Sequence, residues 1–149
     1  MRLLVLCTHN SARSQMAEGW FRHLARQRGV DLEVCSAGSE QTRVKPEAIE
    51  VMKEVGIDLA GHCSKTIDQL DRPHDFDAVL TVCDAEGSCP YFAEATRHYH
   101  VLFTDPSGGT LELWREVRDQ LGKLAEEWVE GLARGEWPET LKKGGTDDA

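Results

Sequence analysis

The 149-residue sequence contains no apolar run that approaches the length of a membrane span, which excludes a spanning helix as its organising feature. Its start lacks the charged-then-apolar pattern of a secretory signal, so the expectation is a soluble, cytoplasmic protein. Positive charge is scarce. Lys and Arg number 17 against 26 Asp and Glu, a net charge of −9, which opposes nucleic acid and anionic membranes as partners. Cysteines number five, an odd count without a secretory signal, so a structural disulfide framework is excluded and thiol chemistry or metal binding remains. Repeats and internal linkers are also missing. The expectation is one domain over residues 1–136, long enough for one sizeable core. A loose tail over 137–149 carries Pro138, Gly144-Gly145 and Asp147-Asp148.

What is present is concentrated at the beginning. Leu3-Leu4-Val5-Leu6 reads as a buried parallel strand. Cys7-Thr8-His9-Asn10-Ser11-Ala12-Arg13-Ser14 follows, and then a helical pattern from Gln15. A strand, loop and helix in this order aim backbone N–H groups and the positive end of a helix dipole at one point. Arg13 adds a planar fork of donors suited to a tetrahedral oxyanion. Cys7 lies at the floor of that cradle, and positive potential at such a place favours thiolate, the nucleophilic form. Ser14 is a candidate N-cap, and Asn10 a brace for the loop. The bland alternative is a small buried hydrophobe with an arginine six residues on by coincidence.

Along the chain, Met16, Trp20 and Leu24, with Ala17, Phe21 and Ala25, form the apolar stripe of a helix ending near Gly29. Asp31 to Ser36 reads as a second strand. Lys45-Pro46-Glu47 opens a helix that runs to about Val55 and closes at Gly56, with Ala48, Val51, Met52 and Val55 inward. A short helix is expected near Ile67-Leu70, a third strand over Phe76 to Val82 and a fourth over His98 to Phe103. A long final helix runs from Leu111 to about Arg134, with Leu113, Val117, Leu121, Leu124 and Val129 as core candidates. Strands alternating with helices imply an α/β fold with a doubly wound parallel sheet, whose ligands bind at the carboxyl ends of strands. Cys7, Cys83 and Asp105, each just past a strand, then share one edge.

Two later segments carry chemistry. Cys83-Asp84-Ala85-Glu86-Gly87-Ser88-Cys89-Pro90 places two thiols around five residues suited to a mobile loop. Half of a zinc site is the metal reading, with His62-Cys63 as further ligands, but the Cys-to-Cys spacing is wider than usual and no second pair follows. A thiol relay fits better, because thiol–disulfide exchange proceeds through successive attacks. Asp105 begins Asp-Pro-Ser-Gly, a turn composition. Placed beyond a strand end, it is also a candidate general acid for an oxygen leaving the oxyanion. Cys35 and Cys63 read as structural.

The pattern Cys7-x5-Arg13-Ser14 at the first strand–helix junction, with Asn10 inside, resembles the low-molecular-weight protein tyrosine phosphatase superfamily. The longer run Asn10-Ser11-x-Arg13-Ser14-Gln15-Met16-Ala17-Glu18-Gly19-Trp20 resembles its thioredoxin-coupled arsenate reductase branch. The resemblance extends from Met1 to about Leu132. It implies a four-stranded sheet of order 2-1-3-4 with helices on both faces, and arsenate held by Thr8, His9, Asn10, Ser11, Ala12, Arg13 and Ser14. Phosphate and sulfate are the weaker ligands it implies. It also implies Cys7 as nucleophile, Asp105 as acid, and Cys83 and Cys89 as a relay that ends on thioredoxin, with no metal or organic cofactor. Three departures stand out. The Cys83–Cys89 loop is one residue shorter than usual, Ala12 replaces a common cysteine, and Lys65 replaces an aspartate. That aspartate accompanies a monovalent-cation site to which Asn10, Glu18 and Ser36 correspond, so a lysine ammonium in the cation's place is the expectation. The rival readings are a phosphomonoesterase using Cys7, Arg13 and Asp105, and an oxyanion or metal sensor without turnover.

Overall fold

The computed structural model describes residues 1–7, 12–38, 42–62, 64–70, 75–82 and 97–139. Four strands form one parallel sheet: β1 (Arg2–Leu6), β2 (Glu33–Ala37), β3 (Ala78–Thr81) and β4 (Arg97–His100). Their order across the sheet is β2-β1-β3-β4. The central strand is β1, paired Leu6 to Ala37 on one side and Leu6 to Thr81 on the other. Its residues are buried throughout, as a run of aliphatic side chains in a doubly covered parallel strand should be. The order agrees with the expected one.

The pleat divides the core in two. Leu3 and Val5, with Val34, Ala78, Leu80 and Tyr99, face the three helices α1 (Arg13–Arg28), α2 (Pro46–Lys53) and α3 (Leu111–Ala133). Leu4 and Leu6, with Ala37 and Val79, face the other way onto Leu70 and Phe76. On that second face the described helical cover is the single 3₁₀ turn Ile67–Gln69, closed by a capping box between Thr66 and Gln69.

Helix α1 buries Met16, Ala17, Phe21 and Ala25, and ends at Gly29 in the left-handed conformation with φ of 68°. Two helical glycines allow close packing of neighbouring side chains. A Cβ at Gly19 would stand 2.9 Å from Leu59 Cδ2, and one at Gly122 would stand 2.7 Å from the Trp20 ring. Trp20 Nε1 then donates to the Arg118 carbonyl at 3.0 Å, which fixes α1 on α3.

Several expectations need correction. Ser14 is not the N-cap: Ala12 holds that position, and Ser14 lies inside the helix. The fourth strand stops at His100 because its partner β3 has four residues, and Val101 makes a last bond from its N–H to the Thr81 carbonyl. In α3, Val117, Leu121 and Val129 are core, while Leu113 and Leu124 only pack against it; Trp114 and Trp128 are fully in it. Trp137 and Pro138, assigned to the loose tail, are packed. The Trp137 ring meets Trp128 edge-on, and Tyr99 donates its hydroxyl to the Pro138 carbonyl at 2.6 Å. The packed chain therefore runs at least two residues past 136.

Candidate active site

Because β1 is central and its neighbours end beside it, the chain leaves the sheet at Cys7 in the middle of the carboxyl edge. Cys7 is 3 % exposed, with its N–H bonded to the Ala37 carbonyl at 3.3 Å. Helix α1 begins six residues later, which returns Ser14 to the cysteine. Cys7 Sγ and Ser14 Oγ stand 3.0 Å apart, both buried. When the sulfur is a thiolate it can only accept, so the serine hydroxyl is then the donor.

Arg13, also buried, is anchored by its own fork. Nη1 donates to the Phe103 carbonyl at 2.9 Å, and Nη2 lies 3.8 Å from Asp105 Oδ2. Asp105 is steadied from its other oxygen, where Oδ1 accepts the Ser107 N–H at 3.0 Å. The turn reading and the acid reading of Asp105 are thus compatible: the turn aims the carboxylate. Cys7, Ala12, Arg13 and Asp105 line one cavity of about 730 Å³. The sequence-nominated nucleophile, anion anchor and acid meet there, although Cys7 and Asp105 are almost 100 positions apart.

Thr42, Arg43, Lys45 and Pro46, at the start of α2, line the same cavity. These residues were missed. In the sequence Lys45-Pro46 carries only the signal of a helix start, and no local signal says that this start lines the same cavity as Cys7. Thr8, His9, Asn10, Ser11, Cys63, Cys83 and Cys89 lie outside the described residues.

Glu18 and Ser36 do come together. The Ser36 hydroxyl donates to Glu18 Oε1, and Arg22 Nη2 stands 2.8 Å from Oε2. Arg22 also donates to the Val34 carbonyl at 2.9 Å, so a guanidinium stands as counter-charge to this buried carboxylate. No group of three or more metal-ligating side chains occurs among the described residues. His62, weighed as a zinc ligand, has its Nδ1 3.0 Å from Gln15 Oε1, and burial lowers its pKa. Burial, then the charge of Glu18, pushes the Cys35 thiol up, which suits a structural role.

A cysteine sulfur, an arginine fork and an aspartate side chain line one cavity at the end of a central parallel strand. The chain belongs to the low molecular weight phosphotyrosine protein phosphatase family, whose description matches residues 2–137. Within it, the chain is similar to "Arsenate reductase 1" of Staphylococcus haemolyticus (strain JCSC1435), at 43% identity over 85% of this chain and 93% of that one. Among solved structures it is similar to "An arsenate reductase in the phosphate binding state", with a TM-score of 0.76, 33% identity and coverage of 87% and 96% of the two chains. It is also similar to the low molecular weight protein tyrosine phosphatase from T. tengcongensis, with a TM-score of 0.74, 29% identity and coverage of 87% and 98%.

Proposed function

We propose that this protein reduces arsenate to arsenite, as an enzyme of arsenic detoxification. The observation that carries the reading is the meeting of Cys7, Arg13 and Asp105 in one cavity, in a chain similar to proteins named arsenate reductases. Arsenate, or phosphate as a weaker ligand, is held by the Arg13 guanidinium and by N–H groups of the segment from Thr8 to Arg13. The Cys7 thiolate attacks arsenic, and Asp105 gives its proton to the departing hydroxide, which leaves as water. Cys83 then attacks the Cys7 sulfur. The sulfur–arsenic bond breaks with its electron pair on arsenic, so As(V) becomes As(III) and a Cys7–Cys83 disulfide forms.

Cys89 next attacks Cys83 and frees Cys7. Reduction of the Cys83–Cys89 disulfide by thioredoxin returns the enzyme to its starting state, and no metal or organic cofactor enters. A cytoplasmic setting, where thiols are kept reduced, suits this cycle. No described helix is long and apolar enough to cross a membrane.

The test is arsenate-dependent oxidation of NADPH with purified thioredoxin and thioredoxin reductase. The expected result is turnover that Cys7→Ser, Cys83→Ser and Cys89→Ser each abolish. Full turnover in Cys83→Ser or Cys89→Ser would refute the relay. The second reading, a phosphatase, is favoured by the fold shared with the T. tengcongensis enzyme. It predicts phosphate ester hydrolysis that survives loss of both relay cysteines.

A further inference from the structure

Most of this protein's described arginines carry an acidic partner: Arg2 with Glu33 at 3.3 Å, Arg22 with Glu18 at 2.8 Å, Arg118 with Glu54 at 2.8 Å. Arg43 and Lys45 differ. Arg43 is exposed, Lys45 is half-buried, and neither side chain has an ion-pair partner among the described residues. Both line the cavity that contains Cys7 and Arg13. Among the described residues, the charged groups facing this cavity are therefore three cations, Arg13, Arg43 and Lys45, against one anion, Asp105. That excess is local, since the whole chain carries −9.

The inner and outer cations have different settings. Arg13 is buried and spends one donor on a backbone carbonyl and another toward Asp105. Arg43 and Lys45 make no such bonds among the described residues and line the cavity from another segment, the one that leads into α2. Lys45 contributes to that start only through its backbone, whose carbonyl accepts from Ala48 and Ile49, so its ammonium is not required by the fold. Leaving two cations uncompensated in one concavity raises the local anion concentration, because a low-dielectric wall focuses the field into the opening. A tetrahedral oxyanion fills only a small part of about 730 Å³, which leaves room for capture ahead of seating.

We propose that Arg43 and Lys45 form an outer anion subsite that captures a dianionic oxyanion and passes it to Arg13 and Cys7. This deepens the function proposed above and rests on it. The subsite acts on encounter and affinity, not on the bond-breaking step, so its loss appears in KM and leaves kcat unchanged.

The test reads anion binding apart from reduction. Inorganic phosphate is titrated as a protector of Cys7 against iodoacetamide, in the wild-type chain and in Arg43→Ala, Lys45→Ala and the double variant. Screened surface charge pairs contribute modestly, so the double variant should need roughly 3- to 30-fold more phosphate for half-protection. Arg43→Lys should restore most of the effect, and Lys123→Ala on α3, outside the cavity, should change nothing. Raising ionic strength should narrow the gap between wild type and double variant. Under arsenate turnover, the double variant should raise KM by a similar factor with kcat intact. Equal protection constants in wild type and double variant would overturn the outer subsite while leaving the Cys7–Arg13 reading in place. No protection of wild-type Cys7 at any phosphate concentration would overturn both. Thermal unfolding of each variant serves as the fold control, and a substitution at two side chains without described partners should leave it unmoved.

Discussion

Ser14→Ala isolates what the serine does for the cysteine. The two atoms are 3.0 Å apart, and Ser14 has no exposed surface, so water cannot substitute readily for the lost hydroxyl. A hydrogen bond to a charged group contributes about 1.5–3 kcal/mol, which is roughly 10- to 150-fold in an equilibrium that depends on it. A sulfur that loses a donor is also the stronger nucleophile, and a Brønsted coefficient of about 0.4–0.5 returns a little under half of that factor on a logarithmic scale. At neutral pH, Ser14→Ala should therefore react about 4- to 15-fold more slowly than the wild-type chain with a neutral aromatic disulfide. The assay is stopped-flow thiol exchange, with Cys63, Cys83 and Cys89 replaced by serine so that the fast signal comes from Cys7. Alanine is a good helix former, so α1 should persist. Equal rates would refute the argument, because they would mean that the hydroxyl is not donating to the sulfur.

Other outcomes follow from the same geometry. Asp105→Asn should slow the arsenate step about 10²- to 10⁴-fold in single-turnover quench, with phosphate protection of Cys7 little changed. After one turnover with arsenate, Cys83→Ser should hold arsenic on Cys7 and Cys89→Ser should hold a Cys7–Cys83 disulfide, as read by peptide mapping. Replacing potassium by sodium at constant ionic strength should leave kcat/KM unchanged, since Arg22 already stands against Glu18. Trp128→Ala removes a buried ring that meets Phe21, Tyr99 and Trp137 edge-on, and should cost about 3–5 kcal/mol in urea unfolding.

The sequence is most legible where neighbours along the chain are neighbours in space. The aliphatic run of β1, the Met16–Ala25 stripe and the glycine that ends α1 are local signals, and the structure has them at the expected places. The sheet order was not local, and it came from resemblance. Ser14 was misassigned because its type suits a cap, whereas the fold turns its hydroxyl onto a cysteine seven residues back. Trp114 and Trp128 escaped a core pattern drawn through aliphatic positions of α3. Arg43 and Lys45 were invisible as site residues because only tertiary packing brings the start of α2 to the same cavity as the end of β1. Strand ends are set by partners, and no feature of His98 to Phe103 itself says that β3 runs out first.

The bond from Arg13 to the Phe103 carbonyl has a mechanical meaning. It fastens the first helix to the connector that leaves β4, two residues before Asp105 on the same connector. The proposed proton donor and anion anchor are consequently referenced to one piece of backbone, and thermal displacement of that connector carries both together. Their separation is buffered against motions that would otherwise change it, as when two instruments share one bench. A connector lengthened by one residue between Phe103 and Asp105 would uncouple them, leaving an anchor that still grips and an acid that arrives out of step.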